Sequence, residues 1–149
     1  MTEPTFCPLT NDDLTDLLTL MREFYSQQHM RFDEGAAASA VREAIRDSSL
    51  GRIYLIYSGE TLAGYFALTF CFSLEFHGRF GLLDELYIRE QCRGRGLGRR
   101  AESMAARICK EEGMSALRLE VGKDNTAAES LYSRLGFNVE ARKLMTKWL

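Results

Sequence analysis

From Leu14 onward apolar residues recur at helical spacing, with Leu14, Leu17, Leu18, Met21, Phe24 and Tyr25 on one stripe. Thr10 and Asp13 precede them as an N-cap and an acidic first turn, so a first helix is predicted. Ala37, Val41, Ala44 and Ile45 repeat the pattern more weakly between Asp33-Glu34 and Gly51, predicting a second. Three runs rich in β-branched and aromatic residues follow, at 53–57, 62–74 and 80–88. Ser58-Gly59-Glu60 separates the first two, and the three read as an antiparallel meander. A helix is expected from about Gly98, with Leu97, Ala101, Met104 and Ile108 along one stripe and Gly113 closing it. Leu117, Leu119 and Val121 then alternate as a strand. Thr126 and Glu129 suit a capping box for a last helix carrying Ala128, Leu131 and Leu135 and ending at Gly136. The tail from Phe137 reads as one or two final strands. The order ααβββαβαβ describes a mixed α/β (α+β) chain folding as a single domain over 1–149.

Composition narrows this picture. With 149 residues and 46% apolar content, the chain can bury roughly two-thirds of its unfolded surface around one core. Nineteen basic against twenty-one acidic side chains give a formal charge of −2, so no global positive field exists to hold a nucleic acid. The start, MTEPTFCPLTNDD, has neither the basic and apolar stretches of a secretory signal nor the acid-poor character of a transit peptide, and a cytoplasmic location is expected. The longest near-apolar run, 62–72, is about half the ~20 residues of a membrane span and is expected in the core. Cys7, Cys71, Cys92 and Cys109 form no CxxC pair, and His29 and His77 stand apart, so no metal site is expected and Cys92 reads as a bystander thiol.

Chemistry concentrates in Arg93-Gly-Arg-Gly-Leu-Gly98, between a strand and a helix. Gly94, Gly96 and Gly98 remove side chains that would keep a ligand from the backbone N–H groups. The first-turn donors and the positive end of the helix dipole then face the same spot, which favours a diphosphate. Arg93, Arg95, Arg99 and Arg100 add cationic reach around Leu97. A P-loop would require Lys followed by Ser or Thr, which the turn lacks. A dinucleotide-binding turn would require a third glycine where Arg99 stands.

Arg93, Gly96 and Gly98 match the pattern Arg/Gln-x-x-Gly-x-Gly/Ala, and on these residues the chain resembles the GNAT superfamily of N-acetyltransferases. The phrase LDELYIREQCRGRGLG looks especially like the diamine acetyltransferase-like branch, and VGKDNTAAESLYSRLGF resembles the downstream family block. The resemblance implies a central, mostly antiparallel mixed sheet of six to seven strands flanked by four helices. It implies acetyl-CoA as cofactor, its pyrophosphate on the 93–99 turn and its pantetheine arm on the backbone of Leu86, Tyr87 and Ile88. Asn125 would contact the same arm, and Tyr132 would stand beside the thioester sulfur as general acid. Asn125 and Tyr132, seven residues apart, fall close to two helical turns from each other.

The acceptor implied is an amine, which must lose a proton before attacking. Glu85 is the preferred base over Asp84, because both interrupt an apolar strand but alternation directs them to opposite faces. Phe66, Phe70 and Phe72 should share a face by the same rule. The first expectation is a small polyamine or other cationic amine, with Glu75, Asp84, Glu85 and Glu120 near the acceptor side. A protein N-terminus, a lysine side chain, a non-catalytic CoA-sensing module and a nucleic-acid grip by 89–100 are the rivals. No nucleic-acid or membrane partner is expected, and a homodimer is left open. Tyr132→Phe should lower kcat by roughly tenfold or more with cofactor affinity nearly unchanged, as steady-state kinetics beside calorimetric binding would show.

Overall fold

The computed structural model describes residues 3–149. The chain divides into two compact units, one ending at Leu119 and the other spanning Glu120–Leu149. The first unit holds a five-stranded sheet in sequential order: β1 (Pro4–Pro8), β2 (Gly51–Ser58), β3 (Thr61–Ser73), β4 (Gly78–Ile88) and β5 (Leu117–Leu119). All neighbours are antiparallel except β4 and β5. Three helices belong with the sheet: α1 (Leu14–Gln27), α2 (Glu34–Arg46) and α3 (Leu97–Glu111). The second unit holds α4 (Thr126–Arg134).

The expected class and its four helices are present, whereas the six to seven strands become five among the described residues. Two differences explain the new order. Pro4 and Pro8 bracket a short edge strand that the sequence reading passed over, which is where a strand tolerates residues lacking an N–H. The tail from Phe137 forms no strand, and Val139, Leu144, Met145 and Trp148 are exposed instead of packed on a sheet face. Pairing and not β-propensity alone decides both, since β1 finds β2 as a partner and the tail is paired with no strand among the described residues.

Helix starts follow local chemistry. Thr10 caps a 3-10 turn at Asn11–Asp13, with its backbone N–H donating to Asp13 Oδ2 at 2.9 Å, and α1 continues from it. Asp33 caps α2 by accepting from the Ala36 N–H at 3.0 Å. The cap of α4 is Asn125, whose Oδ1 accepts from the Ala128 N–H at 3.1 Å, so Thr126 is the first helical residue and not the cap.

Each face of the sheet buries its own cluster. Leu17, Leu20 and Val41 from α1 and α2 pack on Leu55, Tyr65 and Tyr87. Ala101, Ala105 and Ile108 from α3 pack on Ile56, Phe66, Leu68 and Leu83. Phe66 and Phe70 lie on the α3 face as expected, but Phe72 is 70% exposed near the strand end.

One irregularity changes what β4 presents. Ala67 pairs with Glu85 while its neighbour Leu68 pairs with Leu83, leaving Asp84 as an extra residue in β4. Two residues of β4 thus oppose one step of β3, which defines a β-bulge. Leu83 accordingly joins the α3 cluster while Glu85, two residues later, reaches Tyr25 of α1. Beyond the bulge β3 and β4 approach closely, and a Cβ on Gly64 would lie 2.0 Å from the Tyr87 carbonyl oxygen. Gly64→Ala should therefore destabilise the fold by about 2 kcal/mol or more, read as a lower urea midpoint with little change in slope.

Candidate active site

The 93–98 turn lies between a 3-10 turn at Glu90–Cys92 and α3. Gly94 and Gly96 have φ of 76° and 75°, the left-handed region that glycine enters without strain, and a Cβ on either would meet nothing within 4 Å. Gly96 is the N-cap of α3, with no side-chain cap and no acid in the first turn. This contrasts with α2 and α4, whose first-turn amides are satisfied by Asp33 and Asn125. Donors at the start of α3 are consequently left without a side-chain cap, beside open space at Gly94 and Gly96, an arrangement suited to an anion. Cys92 and Leu97 are buried against Ala63 and pin the turn from below, so Cys92 has a packing role.

The arginines divide by task. Arg93 turns back, donating to the Ile88 carbonyl at 2.8 Å and to Gln27 Oε1 at 2.7 Å. Arg100 pairs with Glu3, and Arg89 forms a two-bonded ion pair with Glu23 at 3.0 and 2.8 Å. Tyr87 also donates to Glu23 Oε2 at 3.1 Å, and the Arg89 hydrogen bond is the main reason the Glu23 carboxyl sits below its ordinary pKa. Arg89, Arg93 and Arg100 thus contact the protein itself, and so does Arg95, which donates to the Gln91 carbonyl at 3.4 Å.

Leu86, Tyr87 and Ile88 form the last part of β4. The parallel ladder to β5 covers only 81–83, so among the described residues no strand continues along that edge past Leu83. Alternate backbone groups on the edge are thereby presented to whatever lies beside it. The same edge runs to the helix start: a Cβ on Gly98 would be 4.0 Å from Leu86 Cδ2. The start of α3 thus lies beside the end of β4.

On the opposite face, a cavity of about 430 Å³ opens between α1, α2 and strands β2 to β4. Both Asp84 and Glu85 line it, which corrects the expectation from strict alternation that only one could. The bulge is the physical reason, since its two residues no longer alternate. Glu85 accepts from Tyr65 Oη at 2.8 Å on Oε1 and from Tyr25 Oη on Oε2. Burial lifts its carboxyl above the ordinary value, Asp84 pushes the same way, and the two tyrosine donors oppose them. Both hydroxyls are raised in turn, chiefly by burial and then by Glu85, so they stay protonated as donors.

Tyr25 and Tyr65 are the site residues that sequence reasoning missed. Tyr25 falls on the apolar stripe of α1 and Tyr65 in an apolar strand, and nothing but their hydroxyls distinguishes them from core aromatics. Glu75 lies in the β3–β4 connection outside the cavity lining, and Glu120 opens the second unit. In that unit Asn125 caps α4 and Tyr132 sits on the helix, its ring 5.6 Å from Phe137 in an edge-to-face contact.

Comparison with known proteins bears on this geometry. The model of the acetyltransferase (GNAT) family matches residues 13–137. A thialysine N-epsilon-acetyltransferase from Bos taurus is 33% identical over 78 residues, a match spanning 52% of this chain and 45% of that protein. An integron cassette protein from the mobile metagenome of Cole Harbour Salt Marsh superposes with a TM-score of 0.85 at 33% identity, covering 97% of this chain and 90% of that one. A predicted acetyltransferase from Clostridium acetobutylicum, solved with acetyl-CoA, shares the fold with a TM-score of 0.82 at 13% identity, over 97% and 96% of the two chains. Gly96→Val should abolish measurable CoA binding by calorimetry, because a branched side chain strains the φ of 75° and stands in front of the first-turn amides of α3.

Proposed function

The chain belongs to the acetyltransferase (GNAT) family, and from that premise we propose that it is an N-acetyltransferase transferring acetyl from acetyl-CoA to a small primary amine. The observation that carries the reading is Glu85, held through both oxygens at the wall of a cavity large enough for a small molecule. Asp84 beside it favours a cationic amine, the class to which small polyamines belong.

The residues present fit the cofactor. An open, uncapped helix start on two left-handed glycines suits a diphosphate, and the free edge of β4 suits an arm carrying amide groups. Acetyl-CoA, when bound, supplies an acetyl group activated as a thioester. Amides of 94–99, with Arg95 and Arg99, would hold the diphosphate, and the backbone of Leu86, Tyr87 and Ile88 would hold the arm, with Asn125 as a further contact.

Glu85 is the base in this reading. It accepts the ammonium proton of the acceptor, directly or through one water, and so exposes the nitrogen lone pair for direct attack in a ternary complex. Four lone-pair positions on an ionised carboxylate leave two after the tyrosine bonds. Tyr132 is assigned the proton that the leaving thiolate takes up, the second proton shed by the acetylated nitrogen restores the Tyr132 hydroxyl, and the proton on Glu85 passes to solvent. Proximity and orientation across the sheet supply the rest of the acceleration.

A thiol-release assay with acetyl-CoA over a panel of amines tests the proposal. Tight CoA binding without turnover on any amine would instead support a CoA-sensing module. The pH dependence carries a sign. Only ionised Glu85 can accept a proton, and its pKa is raised, so kcat/KM should fall as pH drops through a value above the ordinary 4.5. Glu85→Gln should lower kcat/KM by about a hundredfold and remove that acidic limb from the profile.

A further inference from the structure

Glu85 is held by two elements other than its own strand. Tyr65, on β3, donates to Oε1 at 2.8 Å, and Tyr25, near the end of α1, donates to Oε2. Asp84 adjoins it on β4. The other charged groups lining the cavity are Arg31 and Asp33, just before α2, and Arg52 on β2, which pairs with Glu112 at 2.8 Å. The helical walls, Ala36, Ala40 and Ala44 of α2 with Leu17 and Met21 of α1, carry no side-chain donor.

Each tyrosine is itself fixed. Tyr65 is 1% exposed, and its ring lies edge-to-face with Phe24 at 6.3 Å. The Tyr25 ring makes the same kind of contact with Phe24 at 5.9 Å and with Phe32 at 5.3 Å. Two residues to either side of Tyr25, Glu23 is tied to Arg89 at 2.8 Å and Gln27 to Arg93 at 2.7 Å. The end of α1 that carries Tyr25 is therefore anchored on the chain just after β4. A carboxylate turns about its last torsion with little preference of its own, and donors on both oxygens remove that freedom.

We propose that Tyr25 and Tyr65 are positioning residues, which together fix the orientation of the Glu85 carboxylate at the cavity wall and keep it charged to receive the acceptor's proton. This rests on the acetyl-transfer reading above with Glu85 as base. Both hydroxyls act through Glu85: a donor favours the ionised carboxylate, against burial and Asp84, which favour the neutral acid.

The test uses the full chain and the variants Tyr25→Phe, Tyr65→Phe, the two combined, and Phe24→Leu. Phenylalanine keeps each ring and removes only the hydroxyl, whereas Phe24→Leu loosens the same aromatic packing and leaves both hydroxyls in place. In protein carrying 13C-labelled glutamate carboxyls, NMR reports the Glu85 titration midpoint, its signal identified by its loss in Glu85→Gln. The pH profile of kcat/KM is recorded alongside, by thiol release from acetyl-CoA with 1,4-diaminobutane and with phenethylamine. Losing a donor to the charged form raises a carboxyl's pKa. Each tyrosine variant should therefore move the midpoint and the acidic limb upward together by about one pH unit, the effect of one hydrogen bond to a charged group. The double variant should move both further and lower kcat above the limb by about tenfold, while Phe24→Leu lowers the melting temperature and moves neither. Tyr25→Phe, at a half-buried position, carries the test where Tyr65→Phe does not fold. Midpoints unmoved or lowered by loss of the hydroxyls overturn the inference and leave acetyl transfer standing, as does an equal shift in Phe24→Leu. A midpoint that rises while the limb stays in place removes Glu85 as base, and the inference with it, in an enzyme that still turns over. No thiol release with either amine, in unmodified protein that binds CoA, overturns both the inference and the reading beneath it.

Discussion

The cavity wall of the first unit depends on one extra residue in β4. A regular strand would send Leu83, Glu85 and Tyr87 to the same face. The bulge at Asp84 breaks that parity, so the strand contributes Leu83 to the α3 core and then, two residues later, a carboxylate to the α1–α2 side. The same irregularity lets two successive acids line one cavity. Register is normally guarded by the burial of one face, because a slip of one residue inverts every side chain. Here the inversion is local, and well-packed residues on both sides of it, Leu83 before and Tyr87 after, hold it in place.

Much of the fold was legible because periodicity and punctuation agreed. The apolar stripes of α1 and α3, the turn at Ser58-Gly59-Glu60 and the glycines after Ile88 all mark boundaries near where the structure has them. The glycine turn was legible as a helix start for the same reason, with Gly96 at the N-cap of α3. What could not be read were features depending on a partner. β1 is five residues long and becomes a strand only because β2 pairs with it. The tail has strand-like composition, but no strand among the described residues pairs with it.

The Glu85 constellation was harder to read than the glycine turn, and the difference is physical. The glycine turn is built from consecutive backbone, so its signature is contiguous in sequence. The Glu85 constellation is assembled from α1, β3 and β4, with sixty positions between Tyr25 and Glu85. In sequence each tyrosine looks like a core aromatic, and only the fold brings the hydroxyls onto one carboxylate. A faint signal was present all the same: consecutive acids inside an apolar strand, followed by apolar positions of the opposite parity at Leu86 and Ile88.

The alanines of α2 have a consequence for how this protein can change. A wall made of large, interlocked side chains can be altered only by disturbing the core behind it. Ala36 and Ala40 line the cavity and are exposed, whereas Ala38 and Val41 are buried, so larger side chains at the first two change the cavity without replacing a core residue. Each position therefore acts as an independent adjustment to length or polarity, reachable by a single substitution. Selectivity in this cleft is cheap to revise, whereas the strand that carries the acids is not.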